Sequence, residues 1–406
     1  MNKQNIIIST FGPLHLVKSA EVLSAKVDIK VIQGWLPRWW NRWLIKIAAW
    51  IIGRDLTHTF KKRTPDCLTG KNYSVGLAEM FLWLGKKLHY PHNISFYTAK
   101  LYGYQSRKYI KDADIFHVRS GSGMGGAIEK AKTKGMKILV DHSIAHPVFM
   151  ERQMCDEYEK NGCSFDLGMN NPFWKGVIDD CQKADRILVN SQFVKDTFIA
   201  NGFISDKIDV VLLGVRKDFW NLKLDYKLKD DETLNILFTG SWGFRKGAEY
   251  ILKALCRLDE LGIKYKMTVV GDYKSSLALY NKYHPQHVYF IGFIPQHDLK
   301  QYLAASDVYL FPSLCEGCAS SGMEAMAAGL PVIATRESGL PIDNGIDGII
   351  IPSKDVDAIV EQLLMLKANE KMRSELGKKA ATKISKQYSW EKYAENVTSI
   401  YERMIR

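Results

Sequence analysis

The sequence predicts an α/β protein built as two doubly wound, Rossmann-like domains facing each other across a cleft. Three observations carry this. Short Val- and Ile-rich runs alternate with helical patterns from end to end, the mark of parallel sheets joined by crossover helices. At 406 residues the chain exceeds one ordinary core and suits two units of roughly 200 residues. A polar stretch containing KLKDDE, between 214 and 232, separates two series of strands. The expected domains are 1–213, including strands near 5–9, 27–32, 115–118, 137–140, 186–189 and 209–212, and 233–385, with strands near 234–239, 267–270, 288–291, 308–311, 332–334 and 349–351. Residues 386–406 form a last helix, for which Ser389 is the expected N-cap.

Composition narrows the class. Hydrophobic residues make up 46% of the chain and charged residues 25%, ordinary for a soluble globular protein, with no repeat of solenoid length. The N-terminal MNKQNIIIST runs straight into a strand without a signal-peptide layout, and no apolar run reaches the ~18–20 residues that span a bilayer. Seven cysteines, an odd number, point to a reducing, cytoplasmic setting. Cys315 and Cys318 form C-x-x-C without a second ligand pair, so they read as small buried side chains. Charge is unevenly placed: residues 1–140 hold 23 Lys and Arg against 8 Asp and Glu, the rest 33 against 36. A basic N-terminal third calls for an acidic partner, such as nucleic acid, anionic lipid or a phosphorylated acceptor.

The chemistry concentrates at 316–335, EGCASSGMEAMAAGLPVIAT. Glu316 and Glu324 flank a run of small residues that lets backbone approach a ligand closely. The N–H groups opening a helix near Ser321 form an anion site, with Glu324 expected in the first turn. One pocket could hold a phosphate with a polyol on either side. The plain alternative is a βα crossover with solvated carboxylates. In GSWGFRKG (240–247) a strand ends in glycines, and Arg245 and Lys246 precede a helix. Strand 137–140 leads into His142 and His146, and FGPLH (11–15) follows the first strand, with Gly12 as a close-approach or turn glycine. Some enzymes hold a metal with D-x-D after a strand. The D-x-D at Asp112-Ala113-Asp114 precedes its strand and reads as a turn.

The order of ILFTGSWGFRKGAEYILKAL (236–255), MTVVGD (267–272), VYFIGFIPQHDLKQYLAASDVYLFPS (288–313), the Glu316–Glu324 segment and GLPVIATRESG (329–339) resembles the retaining family-4 glycosyltransferases, glycosyl transferases group 1. ADRILVNSQFVKDTFIANG (184–202) extends the likeness more loosely. The resemblance implies the GT-B fold, with the N-domain binding the acceptor, the C-domain the donor, and the last helix crossing back to the N-domain. It implies that Glu324 binds the ribose, Glu316 the transferred sugar, Lys246 the leaving diphosphate, and His142 the donor sugar or its phosphate, with His146 as fallback. Backbone at Ser320, Ser321 and Gly322 adds to phosphate binding. Gly292 and Phe293 form the base-reading turn. Gly240 closes the phosphate loop, and Gly12 lies across the cleft. Relatives carry an Arg after the first glycine where this chain has Ser241, so Arg245 or Arg216 would supply that charge. The donor expected from the family is a UDP-sugar. The acceptor expected is a lipid-linked saccharide, polysaccharide or lipopolysaccharide, with anomeric retention by a same-face route. Lys246 and helix N-termini can replace a metal, so no cofactor is expected.

Residues 35–54, WLPRWWNRWLIKIAAWIIGR, hold five of the ten tryptophans. As a helix they place Trp39, Trp40, Trp43 and Trp50 on one arc beside Arg38, Arg42 and Lys46, a pattern suited to an anionic bilayer surface and a peripheral position on the inner membrane face. Packing on the N-domain sheet is the plain alternative. Phe81 to Leu84, followed by Lys86 and Lys87, is a second candidate contact. A nucleic-acid-binding protein would explain the basic N-domain but not the donor motifs. A nucleotide-sugar epimerase of the same fold is the closer rival, distinguished by release of a free sugar epimer without an acceptor.

Overall fold

The computed structural model describes residues 3–12, 15–36, 43, 46–47, 63–88, 93–165, 168–228 and 232–406. Two all-parallel sheets form its frame. The first has seven strands, β1 (Asn5–Thr10), β2 (Asp28–Gln33), β3 (Asn72–Ser74), β4 (Ile115–Arg119), β5 (Lys137–His142), β6 (Arg186–Val189) and β7 (Ile208–Val210), in the order β3-β2-β1-β4-β5-β6-β7. The second has six, β8 (Leu234–Thr239), β9 (Tyr265–Val270), β10 (Val288–Gly292), β11 (Val308–Phe311), β12 (Val332–Thr335) and β13 (Ile349–Ile351), in the order β10-β9-β8-β11-β12-β13. Their Ile and Val runs are buried because helices cover both faces, as in β1, where all but Asn5 is buried. In each sheet the strand order reverses once, between β1 and β4 and between β8 and β11. Ligands of doubly wound folds bind outside the carboxyl ends at such a reversal.

Strand positions follow the sequence expectation, with ends shifted by one or two residues, apart from β3. Its residues Asn72, Tyr73 and Ser74 carry no aliphatic signal, and it pairs only at the sheet edge, with β2. The polar stretch 214–232 is expected as a linker, but its Lys223 and Tyr226 are packed into the second unit. Lys223 Nζ donates to the Ser306 carbonyl at 2.6 Å, Tyr226 Oη to the Gly329 carbonyl at 2.8 Å, and the buried Arg373 to the Tyr226 carbonyl at 2.7 Å.

The last helix, Trp390–Ile405, crosses back to the first sheet. Ser389 caps it, accepting from Lys392 N–H at 3.2 Å. Its face of Tyr393, Val397, Ile400, Tyr401 and Met404 closes a core with Ile6, Ile8, Leu16 and Ile29. Inside that core Tyr401 Oη meets His117 Nδ1 at 2.7 Å, and Ser19 Oγ donates to Tyr393 Oη at 2.9 Å. Each buried apolar side chain there contributes about 1.5–3 kcal/mol, so the helix is an integral part of the N-terminal domain.

Candidate active site

The C-domain half begins where β8 ends. Gly240 takes φ +129°, and a single turn, Phe244–Lys246, leads to Gly247 at φ +76°. A Cβ on Gly247 would lie 2.0 Å from the Pro312 carbonyl oxygen, so only glycine lets this loop meet the end of β11. The loop delivers two cations to one carboxylate. Lys246 Nζ stands 2.6 Å from Glu316 Oε1 and 4.7 Å over the Phe311 ring. Arg245 Nη1 pairs with the same oxygen and donates to the Cys315 carbonyl at 2.9 Å. Burial lowers the Lys246 pKa, and the Glu316 charge opposes that shift. The cluster carries one positive charge more than its carboxylate neutralises.

Beyond the small residues, the helix Ser320–Ala328 opens at Ala319. Its first N–H groups, at Ser320, Ser321 and Gly322, have no acceptor within the helix and face the positive end of its dipole. The Ser321 hydroxyl is engaged elsewhere, donating to the Thr239 carbonyl at 3.2 Å and meeting Tyr309 Oη at 2.9 Å, so its main chain is what remains for an anion. Because the helix starts a residue earlier than expected, Glu324 lies in its second turn and not its first. Glu324 Oε1 accepts from Gln296 Nε2 at 3.0 Å, and Gln296 Oε1 from Arg216 Nη1 at 2.5 Å. Burial pushes the Glu324 carboxyl up to about 7, against the Gln296 hydrogen bond. A cavity of about 210 Å³ opens here, lined by His15, Arg216, Gln296, Ser320, Met323 and Glu324.

The N-domain half lies at the ends of β1, β4 and β5. His142 is the last residue of β5 and not a loop residue. Ser120 Oγ meets its Nδ1 at 2.9 Å, while its buried Nε2 has no hydrogen-bond partner among the described residues. Burial holds the imidazole neutral, with its pKa lowered to about 3. It lines a cavity of about 190 Å³ with Phe11, Gly12, Arg119, Ser120 and Trp174. Gly12 therefore lines the His142 cavity and not the one beside Glu324. Asp141 is buried next to it, with Arg119 Nη1 at 2.8 Å and His15 Nε2 at 3.1 Å. Burial opposes its ionisation, yet those cationic and hydrogen-bonding neighbours hold its carboxyl well below the usual range. His146, the alternative to His142, instead caps the helix Pro147–Glu159, accepts from Val148 N–H at 3.3 Å and packs against Phe198 and Phe203.

The two halves touch at the Glu316 motif. Ala145 N–H donates to the Glu316 carbonyl at 3.2 Å, and Ser191 Oγ to the Gly317 carbonyl at 2.5 Å. A Cβ at Gly317 would come within 2.1 Å of the Ser143 carbonyl oxygen, so glycine sets how closely the domains approach. Gly292 ends β10 at φ +79°, with Phe293 exposed beyond it. Asp112 pairs with Lys134, and Asp114 accepts from Asn5 N–H, so both act as turn residues. Cys315 is buried and Cys318 half-buried. Both are free thiols, and burial raises each to a pKa of about 12. Trp39, Trp40 and Trp50 lie outside the described residues, whereas Trp43 and Lys46 are helical and exposed. Sequence reasoning did not single out His15, Arg119, Ser120, Asp141 or Gln296. Apart from Gln296, which follows the β10 turn, they lie at or near carboxyl ends of strands beside the reversal, and that position was the available signal.

Two doubly wound parallel sheets with covering helices make a two-domain α/β fold of the GT-B class. Residues 223–383 match the family described as Glycosyl transferases group 1, and the enzyme is a transferase. It is 28% identical over 331 residues to the amylovoran biosynthesis glycosyltransferase AmsK of Erwinia amylovora, covering 75% of this chain and 76% of that one. Among solved structures the fold is similar to sucrose-phosphate synthase of Thermosynechococcus elongatus, with a TM-score of 0.72 at 16% identity and 99% of each chain covered. It is also similar to Anabaena Alr3699/HepE in complex with UDP and glucose, with a TM-score of 0.63 at 13% identity, covering 98% of this chain and 100% of that one.

Proposed function

We propose that the enzyme transfers a sugar, with retention of anomeric configuration and without a metal ion, from a UDP-sugar to a lipid-linked or polysaccharide acceptor at the inner face of a membrane. The observation that carries this is the pair of cations, Arg245 and Lys246, on Glu316, set in the same motif as the open N–H groups of helix Ser320–Ala328 and the half-buried Glu324. Glu324 takes the ribose hydroxyls, and Gly292 with the backbone of Phe293 reads the base. The helix N-terminus and Lys246 receive the diphosphate, Arg216 adds charge at its rim, and Arg245 leaves Glu316 oriented toward the transferred sugar. His142, neutral and with Nε2 open, donates a hydrogen bond to the sugar or to the departing phosphate. As the glycosidic bond breaks through an oxocarbenium-like state, negative charge grows on the leaving diphosphate, where these fixed donors act most strongly. No carboxylate is assigned as a covalent nucleophile, so acceptor attack comes from the face the diphosphate leaves.

HepE, whose structure holds UDP and glucose, and AmsK, named for amylovoran biosynthesis, support the choice of UDP and of a surface-polysaccharide pathway. The basic N-terminal third supports a peripheral position, and no described helix is long and apolar enough to cross a membrane. The test is to incubate the enzyme with UDP-sugars and lipid-linked acceptors in EDTA and read the product anomer by NMR. The reading expects transfer with the donor's α configuration retained. An inverted product, loss of transfer in EDTA, or release of a free epimer without acceptor would overturn it.

A further inference from the structure

The helix Gly76–Lys87 turns a continuous apolar face away from the fold. Leu77, Met80, Phe81, Leu84 and Leu88 recur at the three- and four-residue spacing that puts side chains on one stripe, and each is between 37% and 69% exposed. Trp83 flanks the stripe, with Lys87 Nζ 5.1 Å from its ring. The opposite face is buried: a Cβ on Gly85 would lie 2.6 Å from Ile94, which shows how tightly this helix lies against the next, Ile94–Ser106. That second helix also turns aromatic rings outward, Tyr97 at 63% and Tyr104 at 62% exposed. Lys100 Nζ stands 4.4 Å from the Phe96 ring, and the Arg107 guanidinium 5.4 Å from the Tyr104 ring.

Charge completes the pattern. Between residues 76 and 109 stand Lys86, Lys87, Lys100, Arg107 and Lys108, against the single acid Glu79. Glu79 does not offset them at the surface. Its carboxylate is held by Arg63 at 2.6 Å and by Trp35 N–H at 2.7 Å, on the buried side of the helix. An exposed apolar stripe of this length is uncommon on a protein with no partner for it. A second copy of the chain would bring the same five cations against these five. An anionic bilayer supplies apolar depth for the leucines and phosphate for the lysines.

We propose that the helical hairpin 76–106 docks the enzyme on anionic membrane, with the Leu77–Leu88 stripe in the headgroup boundary and the lysines and arginine among lipid phosphates. The buried side of the second helix gives this a functional sense. Ala99 and Phe96 pack with Met124, Val177, Phe11, Phe173 and Trp174, and four of these, Phe11, Phe173, Trp174 and Val177, line the His142 cavity. The docking face therefore lies one helix away from that cavity. Delivery of a lipid-linked acceptor there rests on the transferase reading, whereas docking itself does not.

The test is co-sedimentation of the full chain with phosphatidylcholine vesicles, with and without phosphatidylglycerol, for wild type, Leu77→Glu/Phe81→Glu and Lys86→Glu/Lys87→Glu. Hydrogen exchange of residues 76–106 is followed alongside. The expected result is binding that needs phosphatidylglycerol, weakens with salt, and falls about tenfold or more in either variant, with new protection of 76–106 on the vesicles. All substituted side chains are exposed, and an unchanged unfolding midpoint verifies each fold. UDP binding, measured on the same samples, reports the donor site separately. Vesicle binding equal in wild type and both variants, no vesicle binding by wild type, or a wild-type dimer that the Leu77→Glu/Phe81→Glu variant dissociates would each overturn the proposal.

Discussion

Glu324 is half-buried beside Gln296, and its carboxyl is pushed up to about 7. A neutral carboxyl offers less to ribose hydroxyls than a carboxylate, which only accepts. If Glu324 receives the ribose, donor binding favours the ionised form, and affinity strengthens as pH rises through 7. Between pH 6 and 8 the ionised fraction of a group with pKa 7 rises about tenfold, and titration calorimetry with a UDP-sugar, whose diphosphate does not titrate in this range, should show a gain of that order. Glu324→Gln should flatten the profile; a wild-type profile already flat contradicts the ribose role. The stability consequence has the opposite sign. The folded pKa lies above the unfolded value, so this group's contribution is present at acid pH and is lost as pH rises toward 7. At this scale the sequence was readable where the chemistry lies within one segment, as in Glu316, Glu324, Arg245 and Lys246. It was silent on the Arg119–Asp141–His15 cluster, whose members come from the ends of β4 and β5 and from the helix that follows β1, and meet only through the order of the sheet.

Among the elements, the last helix is the one whose removal the N-terminal domain would feel most. Tyr401 Oη is the partner of the buried His117 Nδ1, and the other ring nitrogen of His117 has no partner. Burial already lowers this imidazole to about 4. Tyr401→Phe keeps the ring packing and strands the nitrogen, at an expected cost of about 1–3 kcal/mol, read as a lower urea midpoint with an unchanged m-value. A midpoint equal to wild type would mean that water replaces the hydroxyl and that the pair does not fasten the helix. Strand positions were legible because β1, β8 and β11 each carry a short apolar run, Ile6 to Ile8, Ile236 to Phe238 and Val308 to Phe311. The edge strand β3 was not, since Asn72-Tyr73-Ser74 gains its pairing from β2 and not from its own pattern. The helix at Ser320 was placed, but its first residue was not, because Ala319, Ser320 and Ser321 are all acceptable near a helix start.

At the scale of the whole molecule, the geometry depends on two domains held at a fixed approach. Besides Gly317, the junction contains a carboxylate from the first domain buried against the second. Glu157 accepts from Tyr250 Oη at 2.9 and 3.0 Å and pairs with Lys354 Nζ at 2.9 Å. Lys354 also donates to the Gln153 carbonyl at 3.1 Å and sits at φ +66°, a strained conformation for lysine. The same helix places Tyr158 against Phe244, next to Arg245. Glu157→Ala removes the shared acceptor, so it should loosen the cleft, raise the donor KM and increase the radius of gyration seen by small-angle scattering in the absence of ligand. An unchanged KM and scattering curve would mean that the domains are held elsewhere. Two units were visible in the sequence from the strand series, whereas this contact was not, because Glu157 reads as an ordinary polar residue of an amphipathic helix.

As proposed above, the Glu316–Glu324 segment and Lys246 form a donor site that works without a metal. The most direct test is calorimetric titration of a UDP-sugar, in EDTA, into wild type, Glu324→Ala and Lys246→Ala, with unfolding midpoints recorded for all three. The expected result is saturable binding by wild type and affinity at least about tenfold weaker in each variant. Wild-type binding that disappears in EDTA, or equal affinity in all three proteins, would contradict it.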